Sequence, residues 1–411
     1  MIKALKGMKD LFEPENKRYE FVIQTSTNIA KKYGFELVQT PILEESSLFL
    51  RSVGESSDIV GKEMYRFVDK GGNDVCLRPE GTAGVVRAFI EHKMDRAGVK
   101  KRYFYHGPMY RYERPQKGRF RQFHQFGVES FGIDDPKEDA FIIAMLKEIL
   151  DNLGVKATLK LNSLGCPECM PKYREKLIEF LNKTPNLCED CLRRKELNPI
   201  RVLDCKNSNC QMQLKDAPLV TDHLCSSCSE DFKNLQEFLT ILKIDFSLDP
   251  WLVRGLDYYT KSAFEFISDE IGAQSAVAGG GRYDRLVEFL GGKPTKGIGF
   301  AMGIERLLEL AKPPLEPRNG VYLGVLSKGA TKKALKATYE LRKKIKTVYE
   351  YELKSLKSHL KQADKSEFLW CACIGENELI DDTVWVKNLE NKEERTVPYS
   401  TFKDGSWLTM D

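Results

Sequence analysis

A cationic segment at residues 111–129, which reads RYERPQKGRFRQFHQFGVE, places the tightest constraint on the fold of this chain. Its middle contains Pro115 and Gly118, both of which interrupt regular structure and predict a loop. The residues after the loop alternate between two faces. One face carries Arg119, Arg121, Phe123, Gln125, Gly127 and Glu129, and the other carries Phe120, Gln122, His124, Phe126 and Val128. The pattern predicts a hairpin whose arginines suit phosphate oxygens and whose Gln/Glu pair suits a small polar substrate; an ordinary solvated sheet edge stays open.

The composition is typical of a globular protein of more than one domain. The chain has 411 residues, of which 42% are hydrophobic and 30% charged, enough for two or three domains. No apolar run approaches a membrane span, and the first residues lack the pattern of a secretory signal, so we expect a cytoplasmic protein. The net charge of +4 does not by itself require a nucleic-acid partner. Residues 321–365, however, carry twelve Lys/Arg against four Asp/Glu, which predicts either a phosphate-attracting surface or a solvated lysine-rich helix face.

Hydrophobic periodicity and turn residues predict the order of the elements. Helices are expected at 15–33, 85–98, 137–153, 304–311, 331–347 and 353–363. Strands are expected at 35–43, 159–165, 251–267 (a strand pair), 297–303, 321–326, 368–375 and 383–389, with a strand, a glycine turn and a helix at 275–290. Pro41 predicts an edge strand or a subunit boundary. The proline-rich segment 312–320 predicts a linker that precedes a small α/β domain.

The chain lacks the common nucleotide-binding loops. It contains no GxxxxGK[ST] and no GxGxxG after a strand, so ATP would have to be held by arginines on a sheet. Arg306 follows a glycine-rich strand that would let a ligand lie close to the backbone. Arg254 is expected to leave an apolar strand and to need an anionic partner, either Asp257 or a substrate. The five histidines show no zinc-enzyme spacing.

Eight of the eleven cysteines fall in one segment, residues 166–228. They are Cys166, Cys169, Cys188, Cys191, Cys205, Cys210, Cys225 and Cys228, which form three CxxC pairs and one Cx4C pair. In a cytoplasmic chain this spacing favours metal thiolates over disulfides, and it predicts one or two structural Zn²⁺ ions in a small insertion. Free thiols in a helical insert remain the alternative. The spacing does not reveal which pairs share an ion.

Three further segments of the sequence, together with the hairpin, match the motif pattern of a known family. They read LRPEGTAG at 77–84, LVRGLDYYT at 252–260 and GIGFAMGIERLLEL at 297–310. Together with the hairpin, and in this order, they resemble the histidyl-tRNA synthetases, a family of class II aminoacyl-tRNA synthetases. The likeness runs from about Gly7 to about Phe402. It implies an α+β catalytic domain with a mostly antiparallel class II sheet, an inserted Cys-rich domain and a C-terminal α/β anticodon-binding domain. The expected bounds are 1–160 and 241–315 for the catalytic domain, 161–240 for the insert and 320–411 for the anticodon-binding domain.

The resemblance implies ATP-dependent ligation of L-histidine to its tRNA through a histidyl-adenylate, with Mg²⁺ required. Arg111 and Arg254 correspond to the catalytic arginines. The implied histidine-binding residues are Glu80, Gly81, Thr82, Arg111, Gln125, Glu129, Arg254, Tyr258 and Tyr259, with Glu129 as the imidazole partner. The implied ATP-binding residues are Arg111, Glu113, Arg119, Phe123 and Arg306. The loop from Arg114 to Arg119 is expected to meet the acceptor end of a histidine tRNA, and the helix–strand unit with Pro41 is expected to form a homodimer interface.

Two departures from the family pattern accompany the match. The cysteines of the insert are absent from many members, and Arg285 stands where glycine is common. Three rivals also stay open: a catalytically silent regulatory subunit of histidine biosynthesis, a non-enzymatic RNA-binding module, and a synthetase for another amino acid. The regulatory subunit would be expected to lack Arg254 and the C-terminal domain. The RNA-binding module would leave the Glu80, Gln125 and Tyr258 set unexplained.

Overall fold

In the computed structural model, a mixed eight-stranded sheet organises the longer part of the chain. The structure describes residues 2–409 apart from 55, 56, 58, 97 and 273–275. The chain divides into two units, Met1–Pro313 and Pro314–Asp411. This division falls within the proline-rich segment that the sequence predicts as a linker. The Cys-rich segment belongs to the first unit, so its status as a separate inserted domain stays a proposal.

The first unit contains ten α-helices and eleven strands among its described residues. The helices are α1 Glu15–Lys32, α2 Ser46–Val53, α3 Thr82–Glu91, α4 Pro136–Asn152, α5 Met170–Lys183, α6 Glu189–Leu197, α7 Ser208–Gln213, α8 Ser226–Ile241, α9 Leu286–Phe289 and α10 Ile304–Leu310. The strands are β1 Glu36–Leu37, β2 Leu43–Glu45, β3 Tyr65–Val68, β4 Asp74–Leu77, β5 Lys101–Tyr110, β6 Gln122–Phe131, β7 Thr158–Ser163, β8 Phe246–Leu248, β9 Thr260–Ile267, β10 Ala276–Arg282 and β11 Gly297–Gly303.

The large sheet has the order β1-β5-β6-β11-β10-β9-β7-β8. Its six central strands pair antiparallel, and only the edge strands β1 and β8 pair parallel with their neighbours. A second, three-stranded sheet has the order β2-β4-β3. The mixed, mostly antiparallel sheet that the sequence predicts is therefore confirmed.

The predicted hairpin is confirmed as β5 and β6, and its alternation sorts side chains between two packed layers. Phe104, Phe126 and Val128 lie in the core beneath α1, α4 and α10. Tyr103 and Tyr105, on the opposite face, pack with α3. Because side chains alternate along a strand, that second face also carries the polar residues of β6. The candidate site lies there.

Three elements of the first unit differ from the sequence prediction. Residues 251–259 are irregular, so the predicted strand pair is a single strand, β9, and Arg254 does not leave a strand. Side chains replace the ladder in this segment: Asn162 Nδ2 donates to the Leu252 carbonyl at 2.9 Å. The expected strand 35–43 is split around Pro41 into β1, at a sheet edge, and β2 of the second sheet. Helix α3 ends at Glu91 and not near Gly98, because the chain turns at Lys93, whose φ is 56°. Ser275, the first residue of the predicted 275–290 element, lies outside the described residues.

The second unit is an α/β fold with its own core. It contains β12 Asn319–Val325, α11 Thr331–Leu341, β13 Thr347–Tyr349, α12 Leu356–Lys365, β14 Phe368–Ile374, α13 Glu376–Ile380, β15 Thr383–Asn388, β16 Glu394–Pro398 and α14 Tyr399–Asp404. The sheet order is β13-β12-β14-β15-β16. The predicted helix 331–347 is too long, because α11 ends at Leu341, a turn follows and Thr347 already belongs to β13. Strand β16 was not predicted. Throughout the described residues, no helix is long and apolar enough to cross a membrane.

Candidate active site

A cavity of about 220 Å³ opens on the face of the large sheet that carries the polar side of β6. Its walls come from the β5–β6 hairpin, β10, β11, the start of α10 and the irregular segment 254–259. Eleven of the thirteen sequence-predicted substrate residues line it: Glu80, Thr82, Arg111, Glu113, Arg119, Phe123, Gln125, Arg254, Tyr258, Tyr259 and Arg306. Residues from four distant stretches of sequence therefore meet at one place, while their individual roles stay predictions.

The hairpin contributes two arginines at one end of the cavity. Arg111 Nε donates to the Pro79 carbonyl at 2.9 Å, and its guanidinium lies 5.1 Å from the centre of the Phe123 ring. Arg119 Nη1 lies 3.2 Å from Glu113 Oε2. The first arginine is thus held in place by the backbone of the LRPEGTAG segment, whereas the second is oriented by a carboxylate of its own loop. Guanidinium groups held in position in this way suit the binding of phosphate oxygens.

Arg306 joins the hairpin loop to the sheet. It lies in the first turn of α10, donates from Nε to the Gly118 carbonyl at 3.4 Å, and also donates from Nη1 to the carbonyl of Ala276. Burial, reinforced by the nearby positive charge of Arg119, lowers the pKa of Arg306. Two guanidinium groups that repel each other across a cavity would both be stabilised by a polyanion between them.

Arg254 forms an ion pair with Glu265 of β9. Sequence analysis missed Glu265 as a residue of the site. The one feature that could have indicated it was its place on a predicted strand beside β10. The Arg254 guanidinium also lies 5.3 Å from the centre of the Tyr259 ring. Burial disfavours its charge, but Tyr259 and Glu265 outweigh burial and raise the pKa of Arg254. A Cβ at Gly279 would overlap the guanidinium, so the glycine of β10 gives Arg254 its room.

The expected amino-acid side of the cavity rests on buried carboxylates. Glu80 accepts from the Thr82 and Ala83 N–H groups at 2.6 and 2.9 Å, where α3 begins, and is 3% exposed. Burial raises the pKa of Glu80. Gly81, predicted as a binding residue, does not line the cavity; a Cβ there would overlap the Tyr105 ring, so it allows close packing.

Glu129 lies beneath the cavity and does not line it, although the sequence predicts it as the imidazole partner. Its two oxygens accept from the hydroxyls of Thr82 at 2.7 Å, Tyr105 at 3.3 Å and Tyr283 at 2.6 Å. Burial raises the pKa of Glu129 to about 8. Thr82 lines the cavity and its hydroxyl donates to Glu129, so this residue links Glu129 to the cavity. Sequence analysis missed the roles of Tyr105 and Tyr283 because both depend on cross-strand packing.

Three buried polar atoms of cavity-lining side chains have no hydrogen-bond partner among the residues that the structure describes. They are Gln125 Oε1, Arg254 Nε and Tyr258 Oη. An unpaired buried polar atom costs about 1–3 kcal/mol, so a site that keeps several of them is built for a polar ligand.

The eight cysteines of the insert form two clusters of four. The outer thiol cluster contains Cys166, Cys169, Cys225 and Cys228, and the inner thiol cluster contains Cys188, Cys191, Cys205 and Cys210. In each cluster the four Sγ atoms lie within 4.8 Å of one another. The structure therefore decides the pairing that the spacing left open, and soft thiolate donors in fours match the preference of Zn²⁺.

Comparisons with known proteins agree with the site. A family model described as histidyl-tRNA synthetase matches residues 7–307, and one described as an anticodon binding domain matches residues 320–405. A histidine–tRNA ligase from Sulfurimonas denitrificans is 59% identical, covering 97% of this chain and 99% of that protein. One from Campylobacter fetus subsp. fetus is 58% identical, covering 97% and 98%. The crystal structure of apo S. aureus histidyl-tRNA synthetase matches with a TM-score of 0.82 at 33% identity, covering 98% of this chain and 99% of that one. With cavity, motifs and near full-length likeness in agreement, the chain belongs to the histidyl-tRNA synthetase family.

Proposed function

We propose that this protein ligates L-histidine to histidine tRNA, with ATP as the energy source and histidyl-adenylate as the intermediate. The observation that carries the proposal is the cavity, in which three arginines from separate motifs, Arg111, Arg254 and Arg306, surround one space beside Gln125 and Tyr258. A cavity lined by several guanidinium groups together with buried polar side chains suits a triphosphate beside a small zwitterion.

In the first step, a carboxylate oxygen of histidine attacks the α-phosphorus of ATP. The new P–O bond forms as the bond to the bridging oxygen of pyrophosphate breaks, and pyrophosphate leaves with that electron pair. Arg111 and Arg254 neutralise the two anions that must approach each other, and charge that builds on the phosphoryl oxygens is stabilised by guanidinium groups already in position. Arg119 and Arg306 hold the outer phosphates.

Mg²⁺ would accompany ATP and neutralise its phosphate oxygens. Glu113, which lines the cavity and pairs with Arg119, supplies a carboxylate that could serve as a ligand. In the second step, the terminal ribose hydroxyl of the tRNA attacks the activated carbonyl carbon, loses its proton and displaces AMP. The loop from Arg114 to Arg119 is the cationic edge of the site that the acceptor end would reach.

Histidine selection is proposed for Glu80, Thr82, Gln125, Tyr258 and Tyr259, with Glu129 acting behind Thr82. A pocket whose buried polar groups must be paired rejects amino acids that leave them unpaired, often by about 10⁴-fold. The matched test is ATP–pyrophosphate exchange with each amino acid in turn, followed by charging of tRNA. Exchange with histidine alone is expected; exchange with another amino acid, or charging that fails despite exchange, would contradict the proposal.

The regulatory-subunit alternative keeps the fold but not the activity. Arg254 lies in the cavity and the second unit is present, and both features argue against it. An RNA-binding module would not need a cavity lined by buried polar groups. Charging of tRNA in the same assay separates both alternatives from the ligase.

Three further properties belong to the same proposal. A homodimer would bury the apolar side chains left exposed on β1, β2 and β3 and at Ile42, the residue before β2; those on the strands are Leu37, Leu43, Phe67 and Val68. Exposed apolar groups clustered on short edge strands favour a partner surface. A cytoplasmic location follows from the substrates, and structural Zn²⁺ is proposed for the insert. Sedimentation velocity would test the dimer: a monomer at micromolar concentration would contradict it.

A further inference from the structure

We infer that each thiol cluster binds one Zn²⁺ ion, two per chain, and that the ion of the inner cluster positions the segment that carries Arg254. The first half of this inference stands on the cysteines alone. The second half rests on the proposed function, because it concerns the adenylate-forming step.

The sulfur–sulfur distances match a metal site. Cys166 Sγ lies 3.7 Å from Cys169 Sγ and 3.8 Å from Cys225 Sγ, and Cys188 Sγ lies 3.7 Å from Cys205 Sγ. A disulfide requires about 2.05 Å. Four thiolates around a tetrahedral zinc ion at about 2.3 Å stand roughly 3.8 Å apart, since that is the edge of the tetrahedron. These three distances match the edge of such a tetrahedron, and the remaining sulfurs of each cluster lie within 4.8 Å of one another.

Backbone N–H groups point at three of the sulfurs. Cys225 N donates to Cys169 Sγ at 3.1 Å, Cys188 N donates to Cys210 Sγ at 3.3 Å, and Asn207 N donates to Cys205 Sγ at 3.4 Å. Such donors stabilise thiolate charge and orient metal ligands. A cluster of neutral, free thiols would have no need of them.

The two clusters hold different parts of the insert. The outer thiol cluster joins the turn after β7, at Cys166, to the start of α8, at Cys225, and so fastens the beginning of the insert to the helix that leads back to the sheet. The inner thiol cluster joins the start of α6 to the start of α7. Between Cys191 and Cys205 lies the short 3₁₀ segment Pro199–Asp204, and the inner cluster fixes both ends of the chain that carries it.

This 3₁₀ segment contacts the loop that carries Arg254. Arg201 Nη1 donates to the Arg254 carbonyl at 2.9 Å, and Asn198 Nδ2 donates to Asp257 Oδ1 at 2.9 Å. Arg201 is 9% exposed. Both hydrogen bonds reach residues 254–257, which have no strand or helix of their own. A segment without a backbone ladder takes its geometry from side-chain contacts of this kind.

The insert needs metal for its own order. A six-residue 3₁₀ helix is not stable alone, and the small core around it includes Cys191, Cys205 and Cys210 themselves. Metal binding then supplies the free energy that fixes the 3₁₀ segment. The fixed segment in turn holds the backbone of Arg254 through the hydrogen bond from Arg201. A displacement of the guanidinium by about 1 Å would cost up to about 10²-fold in the rate of a positioned reaction.

The metal half is tested on the full-length protein, purified without added metal and dialysed. About two Zn²⁺ per chain are expected, with the eight cluster thiols protected from a thiol reagent. Replacement with Co²⁺ should give thiolate-to-metal charge-transfer absorption for four sulfurs per ion. The double variant Cys205→Ser/Cys210→Ser should keep one ion, and Cys76→Ser, which changes a buried cysteine outside both clusters, should keep two. Fewer than about one ion per chain, or eight freely reactive thiols, would overturn the inference.

The positioning half is tested with Arg201→Ala, which leaves every cysteine in place. Two ions should remain bound, while the single-turnover rate of histidyl-adenylate formation falls about 10-fold or more and the affinities for ATP and histidine change less than about 3-fold. Arg201→Lys should recover part of the rate, because an ammonium can donate to the same carbonyl. Lys172→Ala, an exposed change on α5, is the matched control and should leave the rate unchanged.

The outcomes separate this inference from the proposed function. An unchanged rate in Arg201→Ala, or a loss of affinity equal to the loss of rate, would overturn the positioning role while the ion count stands. A wild-type protein with two ions but no histidine-dependent exchange would overturn the proposed function, and with it the positioning role, but not the two sites. A double cysteine variant that keeps its full rate after losing one ion would also overturn the link between ion and loop.

Discussion

Thr82 and Glu129 are joined by a hydrogen bond of 2.7 Å beneath the cavity, in which the Thr82 hydroxyl donates to Oε1. Glu129 is 1% exposed, and burial raises its pKa to about 8. The folded protein therefore holds a proton here that the unfolded chain, with an ordinary value of 4.5, releases. The stability contributed by this group is greatest below about pH 4.5 and falls as the pH rises toward about 8, since the folded state binds more protons in that window.

Glu129→Gln should remove this pH dependence. The free energy of unfolding of the variant relative to the wild type is expected to rise between about pH 5 and about pH 8.5, by up to about 4 kcal/mol. The thermal midpoint of the variant relative to the wild type should rise with it. Glu80, whose pKa burial also raises, is present in both proteins, so its titration enters the difference only through its electrostatic coupling to Glu129. Scanning calorimetry across pH measures the effect, with the exposed Glu175→Gln as control. A difference that stays constant with pH would contradict the assignment.

Arg254→Ala should slow histidyl-adenylate formation far more than it weakens ATP or histidine binding. The guanidinium is fixed by Glu265 and Tyr259 before the reaction. Its positive charge therefore stabilises the transition state, in which charge builds on the α-phosphate, more than it stabilises the bound substrates. The expected loss is about 10²–10³-fold in single-turnover rate. Arg254→Lys should recover only part, because an ammonium cannot contact two oxygens at once. An alanine variant that loses only affinity or stability would assign Arg254 a scaffold role.

Gly279→Ala should reproduce much of the Arg254→Ala defect without removing any charge. A Cβ at this position of β10 would overlap the guanidinium and force it to move. We expect a rate loss of about 10-fold or more with zinc content and fold retained. Gly61→Ala is the matched control, because a Cβ there would meet no atom within 4 Å. Equal rates of adenylate formation in Gly279→Ala and Gly61→Ala would show that the placement of the Arg254 guanidinium is not critical.

Removal of the residues after Pro317 should spare adenylate formation and abolish most tRNA charging. The first unit keeps its own core and every residue of the cavity, whereas the second unit carries the basic stretch 321–365. Loss of phosphate contacts should also flatten the dependence of tRNA affinity on salt. Pyrophosphate exchange and charging, measured on the same folded preparation, separate the two steps. Normal charging by the shortened protein would refute the anticodon-binding role.

The hairpin was predictable because its information is local. Alternation along 119–129 assigns each side chain to a face, and from Gln122, where β6 begins, the strand has the faces that the pattern implies. Phe120, which precedes the strand, was assigned wrongly, because it lines the cavity with Phe123 and Gln125. The glycine-rich strand β11 and the position of Arg306 were predictable for the same reason. When a helix follows a strand directly, the first turn of the helix lies at the end of that strand. The segment around Arg254 was predicted wrongly as a strand because its apolar residues imitate one. Its carbonyls are paired by Asn162 and Arg201, and no pattern within 251–259 reveals those donors.

The sequence by itself determined which chemistry is present: arginines for a polyanion, buried carboxylates for a small polar ligand, and eight thiols for metal. Only the tertiary structure decided how these groups are combined. It pairs Cys166/Cys169 with Cys225/Cys228, couples Arg254 to Glu265, and places Glu129 behind Thr82. Spacing along the chain describes neighbours within one helix or strand. Contacts between distant elements follow from how sheets and helices bury their apolar faces against each other, and that packing sets each of these three relationships.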